Sequence, residues 1–146
     1  MKANELMVGD YIWYSKANEY ATKVIDIRCY GSEYAITCER AEKDPLREKA
    51  PKDSFNVQIL HPIPITEELL EKNGFTVNGY AIMTIDEHTW LEYYFFEHRF
   101  RRIWKGVDEW QNHSEVRDVT YQNHCHFVHE LQHALRECGV IKEFVL

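Results

Sequence analysis

The 146-residue sequence has no C-x-x-C pair, no glycine-rich phosphate loop, no long apolar run and no surplus of basic residues. Its four cysteines, Cys29, Cys38, Cys125 and Cys138, are therefore not spaced as a redox or zinc-ribbon pair. Reduced thiols in a cytoplasmic setting are the simpler account. The richest apolar stretch, Trp90 to Phe96, is interrupted by Glu92 and falls far short of the ~20 residues of a membrane helix. The opening Met1-Lys2-Ala3-Asn4-Glu5-Leu6 lacks the apolar core of a signal peptide and carries charges within it. Neither a membrane nor an export route is expected. Asp plus Glu total 24 against 17 Lys plus Arg, a formal net charge of -7. A general binder of phosphate backbones needs the opposite balance.

What is present suits a folded core. Hydrophobic residues make up 45% and aromatics 14%, with four Trp and nine Tyr, which excludes a disordered chain. At this length folding hides roughly 69% of the unfolded surface, so no metal or disulfide is required for stability.

From Leu6 to about Leu60 the pattern is β. Tyr11 to Tyr14 follows a Gly9-Asp10 turn signal, and Ala21 to Tyr30 alternates, with Val24, Asp26 and Arg28 on one face and Ile25, Ile27 and Cys29 on the other. Gly31-Ser32-Glu33 turns this strand into Tyr34 to Cys38. Arg40 to Ser54, with five basic residues, four acidic ones and two prolines, is expected as a long solvated loop. Phe55 to Leu60 resumes as strand. Short strands at this spacing suggest a small bent barrel of the SH3 type.

His61-Pro62-Ile63-Pro64 reads as an extended connector. Thr66 fits a helix N-cap, Glu67 and Glu68 suit the positive end of the helix, and Gly74 sits where a helix stops. Phe75 to about Tyr121 reads as an antiparallel meander with an Asn78-Gly79 turn, and a last helix runs from about His124 to Glu137 before Gly139. The expected organisation is an SH3-like unit over 1–61 and an α+β unit over 62–146. Within the latter, helix 66–73, meander 75–121 and helix 124–138 follow one another. A single compact domain is the alternative division.

One motif has the form of chemistry. His129-Glu130-Leu131-Gln132-His133 matches H-E-x-x-H, in which two His grip zinc from one helix face and the Glu activates water. A shuffled chain of this composition would still give about 0.05 such matches. No His follows His133, and the position six beyond it is Gly139, so the longer three-His pattern fails. Upstream donors such as His113 or His124 remain as further ligands. At about 100° per residue Phe127, Val128, Leu131, Ala134, Leu135 and Cys138 form an apolar stripe, and His129 and His133 point away from it. A solvent-facing His stripe is therefore favoured, no metal or other cofactor is expected, and a zinc hydrolase through His129, Glu130 and His133 is the alternative.

The remaining candidates are surfaces. His98 to Lys105 is the one basic-aromatic stretch, and its Arg99, Arg101, Arg102 and Trp104 are the candidate binding residues, able to grip a phosphate and stack a base. An edge strand protected by charge is the competing account of the same residues. The acid pairs Glu67/Glu68 and Asp108/Glu109 suit a helix start and a turn better than a catalytic dyad. Cys125 beside His124 and His126 is not a thiol–imidazole pair on helical geometry, because sequence neighbours do not face one another.

Three segments carry a resemblance. They are Met1 to Leu6 with Val8-Gly9-Asp10-Tyr11-Ile12, Pro62 to Leu70 with Asn73-Gly74-Phe75, and Phe127 to Gln132 with Ala134-Leu135. On these the chain resembles a family of small uncharacterised proteins carried by phages, prophages and conjugative elements of gut anaerobic bacteria. Such relatives often have Asn in place of His133, so the resemblance implies that the H-E-x-x-H is incidental. It implies no activity. The expected function is a non-enzymatic module that binds a host or phage protein through the 40–54 loop and the Trp90 to Phe96 strand. A nucleic-acid or nucleotide binder using Arg99, Arg101, Arg102 and Trp104 is the second reading.

Overall fold

The computed structural model describes residues 5–14, 20–30, 33–40, 52–56, 60–106 and 116–146. The expected turn at Gly31-Ser32, most of the 40–54 loop, the Asp108/Glu109 pair and His113 lie outside them. The chain is mixed α+β with two antiparallel sheets. It groups into two compact units, Met1–Pro64 with Phe127–His129 and Leu146, and Ile65–His126 with Glu130–Val145.

The first unit carries strands β1 (Tyr11–Tyr14), β2 (Tyr20–Tyr30), β3 (Glu33–Arg40), β4 (Lys52–Asn56) and β5 (Leu60–His61), in the order β4-β3-β2-β1-β5. Leu6, Ile12, Val24, Ile36, Cys38 and Leu60 form its core, with Ile27 packed alongside. Val24 and Ile27 cannot share that core by strict alternation. A β-bulge between Val24 and Asp26 shifts the register, so Val24 opposes Cys38 while Ile27 opposes Ile36. The expected face assignment of β2 therefore holds only on one side of the bulge. A second correction concerns the 52–60 segment. Lys52–Ser54, expected as loop, is already strand and pairs with β3, while Phe55 and Leu60, expected on one strand, belong to β4 and β5 at opposite edges of the sheet. Gly9, at φ 95°, makes the turn into β1, where the carboxylate of buried Asp10 accepts the Met7 N–H at 2.7 Å.

The second unit opens with α1 (Glu67–Lys72), capped by Thr66, whose hydroxyl accepts the Leu69 N–H at 3.2 Å. Leu69 and Leu70 are its buried residues, and Gly74 at φ 78° ends it. Asn73, fully buried, donates to the Leu69 and Val145 carbonyls, each at 2.8 Å, and accepts the Val145 N–H at 2.9 Å. Nothing in the sequence pattern marked it as a hub.

Five strands follow in the order β10-β9-β8-β7-β6. They are β6 (Thr76–Val77), β7 (Ala81–Thr84), β8 (Thr89–Tyr94), β9 (Arg99–Gly106) and β10 (Val116–His124). Asn78 and Gly79 lie in the β6–β7 turn, with Gly79 at φ 75°. The strand carrying the arginines is not an edge. β9 is hydrogen-bonded on both sides, to β8 and to β10, so its charges cannot be explained as edge protection.

The last helix, α2 (Val128–Glu137), starts four residues later than expected because His124 still belongs to β10. The carboxylate of Glu130 accepts the His126 N–H at 2.6 Å and so ties off the start of the helix. Val128 N–H donates to the Ile63 carbonyl at 2.9 Å. Among the described residues no helix is long and apolar enough to cross a membrane.

Candidate functional site

Alternation along β8 and β9 builds two different faces from neighbouring residues. In the pairing of these strands Tyr94 opposes Arg99, Glu92 opposes Arg101 and Trp90 opposes Ile103, and these six share one side. Leu91, Tyr93 and Phe100 point the other way and are buried.

The first side is a network around Glu92. This carboxylate is 5% exposed and accepts from Trp90 Nε1 at 2.9 Å and from the Tyr94 hydroxyl at 2.7 Å, one bond to each oxygen. Burial, and then the hydrogen bond to Glu92, push the Tyr94 hydroxyl above its usual range, while the charge of Arg101 opposes that. The Tyr94 ring stacks on Tyr80, with centroids 5.2 Å apart and planes 5° from parallel. The guanidinium groups of Arg99 and Arg101 lie 5.6 and 5.1 Å from the Tyr94 centroid.

The two arginines differ in one respect. Arg99 forms an ion pair with Glu97. Arg101 has no ion-pair partner among the described residues, and its Nε is buried without a hydrogen bond. The acid opposite it in the pairing, Glu92, accepts from Trp90 and Tyr94 and forms no ion pair with it. The result is a half-buried cation resting on an aromatic ring, with no ion pair among the described residues.

The four candidate binding residues therefore do not converge. Arg99 and Arg101 lie on the network face. Arg102 and Trp104 fall on the opposite side of β9, where the charge of Arg102 acts on the Cys138 thiol and Trp104 is 43% exposed. Tyr80, Trp90, Glu92 and Tyr94 complete the arginine face. The sequence pattern identified the Trp90 to Phe96 stretch as a surface but gave no reason to join it to the arginines. Phe96 itself lies in the turn after β8 and is 99% exposed.

The H-E-x-x-H residues take other roles. His129, expected at the solvent, is 3% exposed, its ring lying parallel to Phe127 with centroids 6.0 Å apart. Of the two histidines it is His133 that keeps partial exposure. The buried arc of α2 runs from Ala134 through Leu131 and Val128 to Gln132 and His129, roughly 220° at about 100° per residue. That arc is far wider than the single stripe inferred from the apolar residues alone. Glu130 is committed to the helix start. Among the described residues no three His, Cys, Asp or Glu side chains are grouped so as to hold a metal.

The thiols are likewise unsuited to attack. All four cysteines are free, and only Cys29 is exposed. Burial pushes Cys38 up to about 11 and Cys125 up to about 12, the latter helped by the negative charge of Glu130. Cys125 precedes α2 rather than lying on it.

No protein-family model, no curated protein and no solved structure matches this chain.

Proposed function

We propose that the protein is a non-enzymatic interaction module whose second sheet takes an acidic segment of a partner protein on the face of Tyr80, Trp90, Tyr94, Arg99 and Arg101. The observation that carries this reading is Arg101, a guanidinium held on Tyr94 that forms no ion pair among the described residues. A planar guanidinium recognises a carboxylate through two parallel hydrogen bonds, and it gains most when already partly desolvated. Tyr, Trp and Arg are also the residue types that dominate binding energy at protein interfaces. A nucleic acid would offer phosphates to the same arginines, but the net charge of -7 works against it at long range.

The wider reading is of a cytoplasmic component of a phage or mobile element, which the resemblance of the two ends and the middle of the chain supports. Three buried free cysteines support a reducing compartment. The short antiparallel strands and bulged β2 of the first unit support an SH3-like barrel. Closing such a barrel requires the β4 and β5 edges to meet, and no ladder joins them among the described residues.

The test is fluorescence anisotropy with a labelled peptide of alternating Asp, Glu and Tyr, beside single- and double-stranded oligonucleotides at physiological salt. The peptide should bind, and Arg101→Ala should weaken it by about tenfold. Tighter binding of an oligonucleotide than of the peptide, or an unchanged affinity in Arg101→Ala, would overturn the reading.

A further inference from the structure

At the turn between β8 and β9 a second cluster has been built by different residues. His98 has φ 48°, the one non-glycine residue at positive φ among the described residues. That conformation costs a β-carbon residue about 1 kcal/mol or more, and Gly or Asn would adopt it more easily. The position is fixed by its carbonyl, which accepts the Cys125 N–H at 2.7 Å. The turn thus holds an imidazole where a smaller residue would serve the backbone better.

The ring has a defined partner on each side. His98 Nδ1 lies 3.3 Å from the Tyr93 hydroxyl, and that hydroxyl donates its only proton to the Cys125 carbonyl at 2.8 Å. The phenol oxygen can therefore only accept from His98, so the ring carries its proton on Nδ1 and keeps the lone pair on Nε2. A metal-binding histidine is ordinarily oriented in this way, by a hydrogen bond from the nitrogen that does not coordinate. Tyr93 is itself buried and rigid, in edge contact with Phe95.

The second imidazole is His126. Its ring centroid is 4.5 Å from that of His98, with the planes tilted by 38°, and both side chains are exposed. An ion about 2.1 Å from an imidazole nitrogen sits about 3.2 Å from the ring centre, so two imidazoles at a right angle on one ion have centres about 4.5 Å apart. The surrounding charge is favourable. Glu130 accepts the backbone N–H of His126, and its negative charge is felt at both Tyr93 and Cys125. The nearby Arg99 is ion-paired with Glu97.

We propose that His98 and His126 form a two-imidazole site for a late divalent transition ion, with Cu(II) held tightest and water completing the coordination. Two imidazole nitrogens meeting one ion at a right angle would suit the tetragonal preference of Cu(II), and the ordinary affinity order places it above Ni(II) and Zn(II). Its two ligands lie outside the arginine face and outside α2, His98 in the β8–β9 turn and His126 ahead of the helix. Tyr93 acts as a positioning residue that fixes the His98 tautomer.

The experiment uses Cu(II) alone, titrated into the full chain by calorimetry and followed by electron paramagnetic resonance. One equivalent should bind saturably with a spectrum split by two nitrogens. His98→Asn keeps a residue that tolerates the left-handed backbone, and it should lower the affinity at least about tenfold and leave one nitrogen. His126→Ala, a second variant on a different segment, should do the same, with melting curves of the metal-free variants confirming that both fold. His133→Ala should change neither reading. Absence of saturable binding at one equivalent would overturn the proposal. So would an unchanged spectrum in His98→Asn, or loss of the site in His133→Ala.

Discussion

Phe100 and Arg101 are adjacent on the same strand, and the contrast between their surroundings separates what holds this molecule together from what it presents. Phe100 is fully buried with Leu91 and Tyr93, on the side of the sheet that Arg102 and Trp104 share further along the strand. Arg101 is half-buried on the opposite side, among Tyr94, Tyr80 and the Glu92 carboxylate that it opposes. Stability alone explains the first face. It does not explain why an interior strand should carry a guanidinium onto an aromatic ring with no ion pair among the described residues. Stripping water from such a group is unfavourable unless something else supplies the missing partner.

The largest expected effect sharpens this division. Phe100→Ala removes a completely buried ring and leaves a cavity between β8 and β9, so it should destabilise the protein by about 3–5 kcal/mol in urea or guanidinium unfolding. A loss below about 1 kcal/mol would mean that the apolar face is not the structural one.

The next effect tests the same division on α2. His129 was expected at the solvent and is buried, whereas His133 keeps partial exposure. His129→Ala should therefore cost about 1–3 kcal/mol and His133→Ala no more than about 0.5 kcal/mol. Equal effects from the two, read by thermal melting, would restore the solvent-facing stripe that the sequence suggests.

The reason that stripe was misjudged is physical. Helical periodicity reports which residues are apolar, and His129 and Gln132 are not, yet the buried arc of α2 includes both. Polar residues can enter a buried arc wherever neighbours cover them, and a single sequence carries no signal of that cover. Local signals fared better. The Thr66 cap, the Gly74 stop and the Asn78-Gly79 turn depend on interactions a few residues apart, and all three stand where they were expected. Long-range features were less legible. The bulge after Val24 and the division of 52–61 between two edges depend on which strands pair, which alternation cannot reveal. The candidate site divided along the same line. The opposite faces of Arg101 and Arg102 follow from a period of two. The seating of Arg101 on Tyr94 required the β8–β9 register.

The smallest effect on stability is the most informative about function. Arg101→Ala removes a cation–π contact worth about 0.5–1 kcal/mol, and with it a partly desolvated charge that forms no ion pair among the described residues. These contributions oppose one another, so unfolding free energy should change by no more than about 1 kcal/mol, against about 3–5 kcal/mol for its neighbour Phe100. The same variant is expected to weaken binding of an acidic peptide about tenfold. Such a pairing of near-neutral stability with lost affinity is what separates a presented group from a structural one. Should Arg101→Ala instead unfold the protein as severely as Phe100→Ala, the guanidinium would belong to the core, and both faces of the sheet would be structural.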